Sequence, residues 1–129
     1  GDTLQLMCDN GTGAVALASG IDSFQVLYGL DLAGDDRVPD LWTSATQVGV
    51  RWNQVVAVRL ALLVSAVPSS RGSLPDEATY LLFGSDYSDA NDLGTVVNAA
   101  GQDATYRNRL RKAFTTTLFL RNRTFASDV

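Results

Sequence analysis

The sequence predicts a mainly β domain of the α+β class, built on an antiparallel sheet with little helix. A long aliphatic run at 55–64 and strand-like alternation at 23–30 and 114–120 support this prediction. Most connections are also too short for parallel crossovers. With 129 residues, 46% of them hydrophobic, the chain fits one soluble domain, residues 1–129, with a core of its own.

The run at 55–64 is the strongest element of the sequence. Its positions are filled by Val, Leu and Ala, and Arg59 is its only charged residue. The many valines, and Pro68 shortly afterwards, favour a strand over a helix. We therefore expect a central strand, covered on most of both faces, that pairs near 24–30 or near 114–120.

Two flanking segments alternate between apolar and polar residues, as half-buried strands do. In the first, Leu27 is the misfit, and the apolar side is predicted to be Phe24, Val26, Tyr28 and Leu30. In the second, Phe114, Thr116, Leu118 and Leu120 share a face. A fourth, short strand is predicted at 80–83. Residues 3–7 and 14–18 are not assigned to strands.

The remaining segments are predicted to be turns and loops, because Gly, Pro, Asp, Asn and Ser dominate them. Residues 9–13 are typical of a turn. Irregular loops are expected at about 68–79 and 84–106. Asp40 is expected to cap a short helix over 41–47.

The composition leaves little catalytic chemistry open. The chain has no His and one Cys, Cys8, so neither an internal disulfide nor a thiolate zinc site is expected. A nucleophilic cysteine would lack a histidine to activate it. We interpret Cys8 as a structural thiol and nominate no catalytic, cofactor-binding or metal-binding residue.

The net charge of −4 conceals an uneven distribution. Residues 1–106 carry a balance of −9, whereas residues 107–129 carry +5. This split predicts a basic C-terminal face on an acidic body, which bears on partners more than on fold.

Three segments, in order and in register, resemble one known family. Residues 19–31 form a strand pattern ending in Tyr-Gly-Leu-Asp before an Asp/Gly-rich loop. Residues 52–60 read Trp-Asn-Gln-Val-Val-Ala-Val-Arg-Leu, and residues 114–123 form a Thr-rich strand pattern ending in Arg-Asn-Arg. Together these segments resemble the PilW family of type IV pilus minor pilins.

The resemblance implies a non-enzymatic pilin-like head whose partners are other minor pilins, the major pilin and a tip adhesin. It also implies an N-terminal leader and a hydrophobic helix that anchors the head at the periplasmic side of the inner membrane until it enters the extracellular fibre. Neither segment is recognised here, so we expect a soluble portion of a longer bacterial protein that contacts the membrane only through that helix. A minor pseudopilin of type II secretion is the alternative within the same fold.

The acidic loop 31–40 is the one candidate metal site. Asp31 and Asp35 fit the alternating ligands of a calcium loop, but Ala33 occupies a ligand position and Asp36 stands where glycine is needed. We therefore predict a solvated acidic turn and no calcium site.

The basic residues near the C-terminus raise a second hypothesis, DNA binding during uptake. Strand-like spacing would align Arg109, Arg111, Arg121 and Arg123 on one face. Aromatic stacking partners are sparse nearby, so we favour pairing of these charges with the acidic body or an acidic partner. The complete cluster is Arg107, Arg109, Arg111, Lys112, Arg121 and Arg123.

Overall fold

The computed structural model describes residues 4–34 and 36–121, so Asp35 and Arg123 of the predictions above lie outside the described residues. The strands are β1 (Gln5–Asp9), β2 (Ala14–Ser19), β3 (Ile21–Leu30), β4 (Leu41–Thr43), β5 (Val55–Ser65), β6 (Thr79–Leu81), β7 (Val96–Asn98) and β8 (Arg111–Phe119). The helices are α1 (Ala45–Val48) and α2 (Ala104–Arg107), with 3₁₀ turns at Trp52–Gln54 and Ala99–Gly101. Within the described ranges, no helix has the length and hydropathy to cross a membrane.

The largest sheet has the order β4-β3-β5-β8, and β1-β2 and β6-β7 form two separate hairpin-like pairs. The mainly β fold with little helix is confirmed, and so is the central position of β5, which lies between β3 and β8. Backbone contacts support antiparallel pairing of β5 with β8, because Ala66 N–H donates to Leu110 O and Leu120 N–H donates to Val56 O.

Contacts group the chain into two compact units, and each is described by itself. The first unit is Gly1–Gln25 with Ala61–Phe114, and the second is Val26–Leu60 with Thr115–Val129. That residues 1–129 form one folding domain stays a prediction.

The core of the second unit is formed where β3, α1 and β5 meet. Leu30, Val48 and Val55 are buried together, and Tyr28 packs against them. Asp40 does not cap α1, contrary to the prediction, because 41–43 form strand β4 and the helix begins only after Ser44. The Ser44 hydroxyl accepts the Gln47 N–H instead.

The first unit contains the C-terminal half of β5, where Ala61 and Leu63 are fully buried. Leu82 and Phe83 are also buried, just after β6. The segment 84–106 carries β7, a 3₁₀ turn and α2 between stretches without regular structure. The predicted turn at 9–13 joins β1 to β2, and the Asp9 carboxylate accepts the Gly11 N–H there at 2.8 Å.

The predicted buried side of β3 is partly wrong. Leu27, the misfit of the pattern, is completely buried, whereas Phe24 keeps 44% of its surface exposed. Gly29 and Leu30 are both buried as well, so this end of β3 is covered on both faces. Alternation therefore does not report which side faces solvent there.

Candidate functional site

In the second unit, side chains from all three family-like segments lie together. We call this group the motif cluster; its members are Tyr28, Trp52, Arg59 and Thr117, with Trp42. The Tyr28 ring packs edge-on against Trp52, with ring centroids 4.9 Å apart. Arg59 Nε donates to the Thr117 hydroxyl at 3.2 Å, and its guanidinium lies 4.0 Å from the centre of the Trp42 ring. These contacts give both tryptophans packing roles and place the charged Arg59 against an aromatic face.

Gly29 belongs to the same cluster because the backbone of β3 approaches Pro39 and Trp42 closely. A Cβ atom added at Gly29 would lie 2.9 Å from Pro39 carbons and 3.1 Å from the Trp42 ring. Real Cβ atoms do not approach neighbours this closely, so a larger residue would force strand and loop apart. Close packing against Pro39 and Trp42 thus explains why glycine follows tyrosine in the first family-like segment.

The acidic loop uses its carboxylates to bind its own backbone. Asp31, 1% exposed, accepts the Gly34 N–H at 2.7 Å and the Arg37 N–H at 3.0 Å. Asp40 accepts the N–H groups of Leu32 and Ala33. Among the described residues no group of three His, Cys, Asp or Glu side chains is placed to hold a metal, and Asp35 lies outside them.

We expect calcium to leave the thermal stability of the protein unchanged, because Asp31 and Asp40 already accept backbone hydrogen bonds. A site filled to about 100 times its dissociation constant would add about 2.7 kcal/mol to the free energy of unfolding. Melting curves with and without millimolar calcium measure this. A clear upward shift that Asp35→Asn abolishes would contradict the prediction.

The first unit contains a buried ion-pair cluster centred on Arg111. The Arg111 side chain has no exposed surface, and its Nε donates to Asp22 at 2.6 Å. One terminal nitrogen donates to Asp76 at 3.3 Å, and the other donates to the Tyr106 carbonyl. The guanidinium also lies 3.5 Å from the centre of the Tyr106 ring.

The two carboxylates of this cluster have further donors. The Ser65 hydroxyl donates to Asp22 at 2.9 Å, and the Tyr80 hydroxyl donates to Asp76 at 2.6 Å. Burial by itself raises the pKa of Asp76, but donors at Tyr80, the Ala78 amide and Arg111 outweigh it and lower the pKa below 3.8. Burial and the neighbouring Asp76 raise the pKa of Tyr80 to about 12. Asp76 thus stays ionised and Tyr80 neutral at physiological pH.

This cluster corrects the hypothesis of an exposed basic stripe. Arg109 keeps 5% of its surface and the Arg111 side chain none, so neither belongs to an exposed row of arginines along the strand. Arg107 pairs with Glu77 at 3.1 Å, while Arg121 is exposed and Arg123 lies outside the described residues. The residue spacing did not predict the exposure of these side chains, because acids distant in sequence pair with Arg107 and Arg111 in the folded chain.

Apolar side chains remain exposed on two strand regions. The hairpin surface comprises Leu4, Met7, Val15 and Leu17, which are 47–64% exposed on or beside β1 and β2. The β8 surface, in the second unit, comprises Leu118 and Phe119, which are 51% and 59% exposed. Cys8 is exposed within β1. The sequence did not indicate the hairpin surface, because 3–7 and 14–18 were not predicted to be strands.

Comparison with protein families matches residues 3–122 to the family described as Type IV Pilus-assembly protein W. The chain belongs to the PilW family. The predicted resemblance is thereby confirmed, and the matched span contains the motif cluster, the Arg111 cluster and both apolar surfaces. No match was found among curated proteins or among solved structures.

Membership of the PilW family connects the protein with assembly of the bacterial type IV pilus. The motif cluster of this PilW protein is then best understood as support for the fold, because Arg59, Trp42 and Gly29 are all engaged in packing. The side chains of the hairpin and β8 surfaces, by contrast, remain exposed.

Proposed function

We propose that this PilW protein is the head of a minor pilin, a non-enzymatic subunit that helps to prime pilus assembly and stays in the minor-pilin and tip complex. Its partners would be other minor pilins, the major pilin and a tip adhesin. A hydrophobic N-terminal helix, implied by the family, would hold the head at the inner membrane before it enters the fibre.

The hairpin surface is the observation that supports this proposal most directly. Val15 and Leu17 are 61% and 64% exposed, and every residue of β2 is exposed. Val15 and Leu17 are two residues apart in β2, so their side chains lie on the same face of the hairpin. An exposed apolar patch of this kind is typical of an interaction site on a soluble protein. Full burial of one such side chain by a partner contributes about 1.5–3 kcal/mol. Burial of several such side chains would therefore offset part or all of the cost of association, which is about 4–15 kcal/mol.

We expect Leu17→Glu to weaken co-purification with other minor pilins by about tenfold or more, equivalent to about 1.4 kcal/mol. A carboxylate buried in an apolar contact would lose its hydration. The matched control is Val50→Glu, which places the same charge at a residue that is 96% exposed in the second unit. Wild-type capture should persist at moderate salt, because hydrophobic contact is not screened as exposed charge is.

Equal capture of Leu17→Glu and the wild type would contradict this interface. A DNA-uptake role would give a different result: micromolar duplex binding whose logarithm falls by about 0.9 per phosphate contacted for each log unit of salt. Replacing Arg121 and Arg123 by Ala would then reduce that slope by about two. Such binding, lost in the double variant, would replace assembly as the primary function.

A further inference from the structure

A pocket of about 270 Å³ lies in the first unit, beside the Arg111 cluster. Its lining includes Leu4, Asp103, Thr105, Tyr106 and Arg109. The assembly function proposed above does not use this pocket. It differs from the hairpin surface because four of its seven lining residues are charged.

Arg109 is the feature of the pocket that needs explanation. It retains 5% of its accessible surface, so about nineteen-twentieths of it is buried. Within residues 4–34 and 36–121, no side chain or backbone group hydrogen-bonds or ion-pairs with its guanidinium. Its nitrogens are not completely enclosed, because Arg109 lines the pocket and its head group reaches the pocket space while its aliphatic stem is buried. A cation with so little access to water is stabilised by an opposite charge or acceptor that enters the pocket.

The neighbouring charges do not supply that partner. Asp22 also lines the pocket, but its oxygens accept from Arg111 and Ser65. Asp103 accepts the Tyr106 N–H at 2.8 Å, at the start of α2. Arg111 in turn is balanced by Asp22 and Asp76. Arg109 is therefore the cation of this pocket that remains available to an incoming anion.

The surroundings also select the kind of anion. Asp22 and Asp103 on the same wall would repel a doubly charged phosphate more strongly than a singly charged carboxylate. The planar guanidinium of arginine matches a carboxylate through two parallel N–H donors. Thr105 adds a hydroxyl to the wall, and Leu4 adds an apolar side chain.

We propose that this pocket is a carboxylate-binding site with Arg109 as its principal donor. Its occupant in the assembled pilus is an acidic side chain or a chain terminus of a neighbouring pilin. The identity of that occupant rests on the proposed assembly function, whereas binding of a carboxylate does not. A small carboxylate added to the isolated chain tests the site without any partner.

The experiment follows the Arg Nε–Hε signals of the chain by NMR during titration at constant ionic strength. N-acetylglycine represents a chain terminus, and the α-amide of N-acetylglutamic acid represents a Glu side chain. The neutral matched probe is N-acetylglycinamide. We expect at least one carboxylate to shift the Arg109 signal saturably, with a dissociation constant in the millimolar range, about −4 kcal/mol. The carboxylate that binds more tightly identifies the source.

Variants separate the site from general charge effects. Because Gln and Lys lack the Arg109 Nε–Hε group, binding to these variants is followed through the backbone amides of Thr105 and Tyr106, which line the pocket. In Arg109→Gln these amides should no longer shift, and the melting temperature should not fall, since the substitution removes a cation without a protein partner in the described structure. Arg109→Lys keeps the charge but not the two parallel donors, so binding should weaken about tenfold. Arg107→Gln, which removes an arginine already paired with Glu77, should bind as the wild type does.

Several results would overturn the proposal. The proposal is wrong if neither carboxylate shifts the signal saturably, or if the neutral amide or sodium chloride shifts it equally. It is also wrong if inorganic phosphate binds more tightly than the carboxylates. Binding seen only after Asp2→Asn would also overturn it, because the chain's own N-terminal acid would then compete for the site. If carboxylates bind but minor pilins do not co-purify, the pocket stands and the assembly function fails.

Discussion

Replacing Arg111 by Ala is expected to lower the free energy of unfolding by about 3–5 kcal/mol, the range for breaking a buried ion pair from one side. The substitution leaves Asp22 and Asp76, whose side chains are 5% and 1% exposed, without their shared cation. It also removes the donor to the Tyr106 carbonyl and the contact with that ring. Against a typical total stability of about 5–15 kcal/mol, such a loss is large.

Urea unfolding of the wild type and Arg111→Ala measures this difference. The control is Glu77→Gln, which breaks the Arg107–Glu77 ion pair from its exposed side, where Glu77 is 72% exposed. Surface pairs contribute about 0–1 kcal/mol, so the control should change stability little. Similar losses for the two variants would show that the Arg111 cluster is not the stabilising centre described here.

The pH dependence of stability should change in the same variant. The pKa of Asp76 is lowered in the folded protein, so its contribution is present above the unfolded pKa of about 3.9 and is lost as pH falls through the folded value. Arg111 is one of the donors that lower that pKa. Without it, we expect acid unfolding to begin at higher pH than in the wild type.

Replacing Leu63 by Ala is expected to cost about 2–5 kcal/mol, because Leu63 is fully buried in β5 and the substitution leaves a cavity. From the sequence, Leu60 at the middle of the run 55–64 was equally expected to be buried, since the strand was predicted to be covered on most of both faces. The structure instead shows Leu60 only half-buried, as are Val58, Leu62 and Val64 on the same side of the strand. Thermal or urea unfolding of Leu63→Ala and Leu60→Ala compares two identical truncations. A larger loss for Leu60→Ala would contradict the burial pattern of β5.

Strand β5 could be predicted from sequence because its signal is local. Eleven consecutive residues form the strand, and nearly all are aliphatic. Strands β1 and β2 were not predicted, since their exposed small and apolar residues give neither a buried run nor clear alternation. The start of α1 was misplaced because Asp40 and Ser44 are both good caps, and only the position of β4 decides between them.

The family-like segments could be located from sequence, but their contacts could not. Nothing in the order of residues indicates that Arg59 reaches Thr117, which is 58 positions away. The Arg111 cluster is still less visible, because Asp22 and Asp76 are 89 and 35 positions from it. Charge counting placed Arg111 in a basic tail, whereas folding brings distant acids to it and removes it from the surface.

The β1–β2 hairpin has a consequence for local dynamics. It is a two-stranded ribbon in which Leu6 alone is half-buried and every other residue is exposed. A two-stranded ribbon without a core is marginally stable in water, so its amides should exchange with solvent through local opening, long before the molecule unfolds globally. A subunit that covers the hairpin would slow this exchange at 5–19 while leaving the amides of β5 unchanged. Hydrogen exchange would thus report docking as a local gain of order, without knowledge of the partner's structure.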